Sequence, residues 1–238
     1  MLQVEGLCKR FGGLAAISDV GFRVNQGQVL GLIGPNGAGK TTLFNLLSGA
    51  LVPDSGTIRL RRRVINGFKP HQIRRLGVAR TFQNAKPFPN MTVLQNALVG
   101  AIFGTPSPVT RGEADRNARK AIKFVGLSDV MHKPAGSINL VSQKRLEVAR
   151  ALAARPELLL LDEMMAGLNL TEVEESMALV KSIRDTGITV VMIEHVMKAI
   201  MSICDTIIVL HHGKKIAEGT PEEIASNKTV IEVYLGER

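Results

Sequence analysis

The sequence predicts an α/β fold: a core built on a mainly parallel sheet, a β region at the N-terminus, and a block of helices inserted into the core. Three observations lead there. Short apolar runs at Val29 to Ile33, Leu158 to Leu161 and Ile188 to Ile193 read as strands covered on both faces. Helical patterns alternate with them, which is how parallel strands are joined. From Met91 onward helical patterns follow one another, and no strand pattern occurs until residue 157.

Taken in order, residues 2–30 alternate apolar and polar in short pieces broken by Gly12-Gly13, Gly21 and Gly27, a β pattern. Phe11 is the aromatic to mark there, as a core residue or a ligand contact. The run Val29 to Ile33 leads into Gly34-Pro35-Asn36-Gly37-Ala38-Gly39-Lys40-Thr41-Thr42, which fits G-x-x-x-x-G-K-S/T. Leu43, Phe44, Leu46 and Leu47 then recur at helical spacing. The glycines therefore lie on a strand-to-helix turn, the setting this motif requires. Such a turn brings backbone N–H groups close to an oxyanion, and the helix start adds unpaired donors and the positive end of a dipole. Lys40 supplies a point charge for β- and γ-phosphates. Thr41 offers a hydroxyl to Mg²⁺, a hard cation that prefers oxygen. Residues 34–42 thus predict a nucleoside triphosphate held with Mg²⁺.

Beyond the loop helix, Pro53-Asp54-Ser55-Gly56 reads as a turn, Thr57 to Ile65 as strand, and Pro70 to Leu76 as a short helix. Val78 to Phe82 is a further core strand, ending at Gln83. Helices are expected at Met91 to Ile102, Glu113 to Val125 and Ser128 to His132, separated by residues 104–108 and by Gly126. The core resumes at Pro156. Thr171 to Arg184 reads as a helix capped by Thr171 with Glu174, its apolar face made by Val173, Met177, Val180 and Ile183. Thr206 to Leu210 and Lys214 to Glu218 form a hairpin across His212-Gly213. Thr220, Pro221 and Glu223 start a closing helix as cap, N1 and N3. One domain is expected, comprising the β region and first part of the core (1–90), a helical subdomain (91–155), and the rest of the core with closing helices (156–238).

Leu158 to Leu161 ends in Asp162-Glu163. A carboxylate at the C-terminal edge of a strand lies where open α/β sheets bind ligands. Asp162 is expected to hold Mg²⁺, directly or through water, and Glu163 to polarise the attacking water as general base. Gln83, at its own strand end, can reach the metal or the water with its amide oxygen. His195 ends the next core strand after Asp162, where it can donate to the γ-phosphate and orient the base.

Composition narrows the class. The chain has 238 residues, 45% hydrophobic and 21% charged, enough for a large core. Its two cysteines, Cys8 and Cys204, have no metal-ligand spacing and fit a reducing compartment. No basic-then-apolar leader opens the chain and no apolar run nears the ~18 residues of a membrane span, so a soluble, cytosolic protein is expected. Lys and Arg number 30 against 21 acids, a net charge of +9. With no Trp and one Tyr, Tyr234, the arginines from Arg59 to Arg63 lack stacking platforms, and nucleic acid is not expected as a partner.

On these residues the sequence resembles the ATP-binding-cassette (ABC) ATPases over essentially its whole length. The resemblance is carried by the loop at 34–42, Arg80-Thr81-Phe82-Gln83, the helix Arg145 to Leu152, Leu158 to Glu163, and Glu194-His195. It is most similar to the ATP-binding subunits of branched-chain (hydrophobic) amino-acid importers. That narrower likeness rests on Cys8 to Leu14, Phe82-Gln83-Asn84 through Met91 to Leu94, Ala166-Gly167-Leu168-Asn169, and Thr220 to Gly236. The resemblance implies a P-loop NTPase core with an N-terminal antiparallel β subdomain and an inserted helical subdomain. It implies ATP with Mg²⁺, and Phe11 stacked on adenine. It further implies a second cassette, identical or different, closing head-to-tail around two ATP, with the region after Gln83 docked on membrane permease subunits. A periplasmic or extracellular solute-binding protein would act through the permease. The chain would then sit peripherally on the inner face of the cell membrane. The alternatives are a soluble ABC protein acting on nucleic acid or ribosomes and a weakly hydrolysing regulatory subunit.

One departure stands out. The family carries a signature, typically Leu-Ser-Gly-Gly-Gln, that serves the opposite cassette's ATP. In register this chain has Ile138-Asn139-Leu140-Val141-Ser142. Asn139 keeps a side-chain donor and the helix start keeps its dipole, but close backbone approach without glycine is harder. Met164 also replaces the usual proline after the base.

Overall fold

The structure is a computed structural model describing residues 1–83, 87–105 and 108–235; the readings that involve Asn84, Pro106, Ser107 and Gly236 fall outside it. Two sheets organise the chain. The first is antiparallel, in the order β2-β1-β4-β5, from β1 (Leu2–Phe11), β2 (Leu14–Val24), β4 (Ser55–Leu60) and β5 (Arg63–Val64). The short pieces expected before residue 30 are thus two long strands, kept continuous by register shifts that absorb irregularities such as Gly6 and Gly21. Arg61 and Arg62 turn the β4–β5 hairpin with φ of 46° and 69°, the left-handed geometry of a two-residue hairpin loop. The basic run there is largely engaged: Arg61 Nη1 donates to both Glu157 carboxylate oxygens at 2.6 and 2.8 Å, its Nη2 donates to the Leu76 carbonyl at 2.9 Å, and Arg63 lies over the Phe68 ring.

The second sheet follows the order β10-β9-β3-β8-β7-β6. It comprises β3 (Val29–Ile33), β6 (Val78–Arg80), β7 (Leu158–Asp162), β8 (Thr189–Ile193), β9 (Thr206–His211) and β10 (Lys214–Gly219). All pairs are parallel except β9–β10. Its apolar runs alternate between two cores, as a doubly covered sheet demands. Leu158 and Leu160 pack with α1 (Lys40–Leu47) and the antiparallel sheet, whereas Leu159 and Leu161 pack on the opposite side.

The helices are α2 (Pro70–Arg75), α3 (Val93–Phe103), α4 (Arg111–Phe124), α5 (Leu140–Leu152), α6 (Leu170–Asp185), α7 (Met197–Ile203), α8 (Pro221–Ala225) and α9 (Lys228–Leu235). α3, α4 and α5 lie between β6 and β7 in the chain and pack together beside the parallel sheet. α3 and α5 come close at Gly100, where a Cβ would fall 2.0 Å from the Arg150 carbonyl oxygen.

Several boundaries differ from the sequence reading, each for a capping reason. α3 begins two residues late because Thr92 caps it and Gln95 reaches back. α4 begins two residues early, with Thr110 as cap and Glu113 at N3. The cap of α6 is Asn169 with Glu172, not Thr171 with Glu174; asparagine is the stronger cap, and Thr171 lies inside the first turn. Ser128 to His132 is only a 3₁₀ turn, Ser128–Val130. Thr220, Pro221 and Glu223 start α8 as the pattern predicts.

Candidate active site

The loop between β3 and α1 is shaped by close approach. At Gly34 a Cβ would lie 2.1 Å from the Leu210 carbonyl oxygen, and at Gly39, with φ of 103°, 2.5 Å from that of Ala16. No other residue fits either position without moving backbone. The loop closes around Lys40, which is buried and donates from Nζ to the Gly34 and Pro35 carbonyls at 2.6 and 2.8 Å. Burial holds its ammonium below the ordinary lysine range, with Glu163 opposing that shift.

Opposite the loop, β7 delivers Asp162 and then Glu163. Glu163 is left-handed, φ 50°, and its N–H donates to the Ile193 carbonyl at 2.9 Å, so the turn is fastened to β8. Both carboxylate oxygens have partners. Gln83 Nε2 donates to Oε2 at 2.7 Å, and His195 Nε2 lies 3.0 Å from Oε1. The three residues come from the ends of three neighbouring strand segments, as the sequence reading requires.

A cleft of about 430 Å³ is lined by Phe11, residues 36–42, Gln83, Glu163 and His195. Phe11 is 47% exposed at its rim, and Lys9, beneath it, is paired with Asp54 at 2.7 Å. A second cavity of about 760 Å³ is lined by Thr41, Gln83 and Asp162 together with Phe82, Phe88 and Phe103. Thr41 and Gln83 border both, so the two cavities meet beside the loop. Thr41, Asp162 and Gln83 offer hydroxyl, carboxylate and amide oxygens, the donor set of a hard divalent cation. Asn139, Leu140, Val141 and Ser142 line neither cavity. Asn139 is exposed and caps α5 by accepting from the Ser142 N–H at 2.9 Å.

Three supporting residues were not assigned roles by sequence reasoning. Arg80 pairs with Asp162. Lys144 of α5 donates to the Ala166 carbonyl at 2.6 Å and approaches that of Glu163 at 3.4 Å. Glu194 is buried and accepts from the Met165 N–H at 2.8 Å, tying the turn after Glu163 to the segment that carries His195. For Arg80 and Glu194 the signal was available, a charged residue in or next to an apolar buried run; Lys144 stands among polar neighbours, Gln143 and Arg145, and gave none.

Burial pushes the Glu194 carboxyl up to about 7, against the pull of the Met165 N–H and Lys144. A raised carboxyl pKa stabilises the fold fully below the ordinary carboxylate range, and this contribution fades as pH rises through about 7. Glu194→Gln keeps an acceptor for Met165 and removes the titration. Thermal melts across pH 5–8 should therefore fall less for the variant than for the wild type, a gap of about 1–3 kcal/mol at the alkaline end. Parallel curves would exclude a buried, titrating Glu194.

The glycine loop between β3 and α1 thus shares one cleft with Glu163, whose carboxylate Gln83 and His195 contact. The family model described as ABC transporter matches residues 17–166, and the chain belongs to that family. It is an ATP-binding cassette, an ATPase coupled to transport. Residues 214–238 match a second model, branched-chain amino acid ATP-binding cassette transporter.

Among curated proteins it is similar to the high-affinity branched-chain amino acid transport ATP-binding protein BraF of Pseudomonas aeruginosa, 43% identical over 100% of this chain and 98% of that one. The corresponding LivG of Escherichia coli K12 is 41% identical over the same shares. Among solved structures, a nucleotide-free cassette from an ABC transporter superposes with a TM-score of 0.91 at 31% identity, covering 100% of this chain and 99% of that one. The ADP conformation of such a cassette gives 0.91 at 32%, over the same shares. No helix among the described residues is long and apolar enough to cross a membrane.

Proposed function

We propose that this chain is the ATP-hydrolysing subunit of an importer for branched-chain amino acids or related small solutes. The observation that carries the hydrolytic part is the convergence of Gln83 and His195 on Glu163 beside the phosphate loop. Residues 34–42 bind the phosphates, with Lys40 turning from its loop carbonyls to the β- and γ-phosphates. Phe11 stacks on the adenine. Thr41, Asp162 and Gln83 hold Mg²⁺, which supplies charge neutralisation for the phosphates when bound. Glu163 polarises the attacking water, with His195 orienting it and donating to the γ-phosphate.

The substrate class is supported by the names of the relatives and by the match at residues 214–238. A second ABC ATPase subunit, identical or different, closes on this one and receives Asn139 to Ser142 at its own ATP. The larger cavity, with exposed Phe82, Phe88 and Phe103, suits an apolar permease segment. The chain then works at the inner face of the cell membrane, and a periplasmic or extracellular binding protein delivers solute to the permease. Purification of the tagged chain from solubilised membranes tests this. Permease subunits and a cassette partner should be recovered with it. Recovery of rRNA or DNA in their place would overturn the assignment.

A further inference from the structure

Arg80 ends β6 with a guanidinium that is almost wholly buried, 9% exposed, against a carboxylate only 5% exposed. Nη2 donates to Asp162 Oδ2 at 2.9 Å. Nη1 donates to Asn45 Oδ1 at 2.7 Å and to Ser48 Oγ at 3.0 Å. The group also sits against the rings of Phe44 and Phe82, at 5.6 and 5.1 Å. Thr41, Asn45 and Ser48 fall at i, i+4 and i+7, so the helix face that offers the Thr41 hydroxyl also anchors Arg80. The next residue holds the Asp162 backbone: the Asp162 N–H donates to Thr81 Oγ1 at 3.1 Å.

We propose that Arg80 is the built-in counter-cation of Asp162, neutralising that carboxylate whenever no divalent ion is bound and thereby weakening the site's hold on Mg²⁺. The inference rests on the reading of Asp162 as a metal-binding acid. A buried carboxylate with no cation is strongly unfavourable, and a guanidinium stays charged and can keep several donors engaged at once. Neutral partners on α1 keep Arg80 in place, so an incoming divalent ion meets a carboxylate already shared and a positive group a few ångströms away. Arg80 thus trades metal affinity for a fold that survives the metal's departure, and it eases release of the ion with the product.

The test is Mn²⁺ binding to the purified full chain with ADP present, read from the free-ion electron paramagnetic resonance signal. Arg80→Gln should bind Mn²⁺ about tenfold more tightly than wild type. Arg80→Lys, which keeps the charge, should stay closer to wild type. The melting temperature of Arg80→Gln should be lower without metal and should rise more than wild type when Mn²⁺ and ADP are added. Equal or weaker Mn²⁺ affinity in Arg80→Gln overturns the inference. Should that variant not fold, Arg80→Gln with Asp162→Asn decides. Removing both charges should restore a folded chain, and failure to do so makes Arg80 a purely structural arginine. Asp162→Asn alone separates the two layers. If it leaves Mn²⁺ affinity unchanged, the metal assignment of Asp162 fails; if it weakens binding while Arg80→Gln does not tighten it, only the counter-cation role fails.

Discussion

Glu163→Gln is expected to lower ATP turnover by about two to four orders of magnitude while nucleotide binding persists. The amide has the shape of the carboxylate and can keep partners for Gln83 and His195, but it cannot take a proton from water. The site is arranged to keep this one side chain fixed: Gln83 and His195 hold its two oxygens, and Ile193 holds its backbone. Its left-handed φ of 50° is a strained setting for a side chain of this size, kept by those bonds. Steady-state phosphate release and equilibrium binding of a fluorescent nucleotide check the two halves separately. Loss of binding together with turnover would mean that Glu163 supports the loop rather than the chemistry.

The same variant probes the altered signature. If this chain pairs with a different cassette, its own loop, Asp162 and Glu163 face the partner's signature, whereas the partner's ATP faces Asn139 to Ser142. Here the cap of α5 is an asparagine whose oxygen is already used by the Ser142 N–H, and no glycine follows it. Glu163→Gln and the matching change in the partner should then reduce turnover unequally, the larger loss following Glu163. Equal losses would count against two unlike sites.

Lys40→Ala should cost about two orders of magnitude in ATP affinity, with turnover falling further at any fixed ATP concentration. The ammonium is buried and bonded to two loop carbonyls, so its removal deletes the charge proposed for the phosphates and takes the lysine donor from the Gly34 oxygen, while that of Pro35 keeps the Ala38 N–H at 3.2 Å. Isothermal titration with ATP and Mg²⁺ measures the first effect. A thermal melt of the nucleotide-free protein measures the second, where a modest drop is expected. Unchanged ATP affinity would remove Lys40 from the phosphate site.

Much of the site was legible in the sequence because its members are local and ordered along the chain. Glycines 34, 37 and 39 with Lys40 declare themselves by spacing, and Asp162-Glu163 by ending an apolar strand. Gln83 and His195 are single residues that mean little alone; their positions at strand ends made them readable, and the parallel sheet brings those ends together. Arg80, Lys144 and Glu194 were not assigned because their partners are distant in sequence; beside the apolar runs of Arg80 and Glu194 a charge says that a partner exists without saying which, and Lys144, among polar neighbours, says not even that. α7 was missed although Val196, Ala199, Ile200 and Ile203 have helical spacing. It is only two turns long and follows a strand of the same composition. The misplaced cap of α6 arose because Asn169 and Thr171 both precede acids by three residues, and only the path of the backbone decides between them.

At Gly100 the backbones of α3 and α5 come so close that an added Cβ would fall 2.0 Å from the Arg150 carbonyl oxygen. A single methyl there would have to prise the two helices apart, so the seam between them tolerates hydrogen alone.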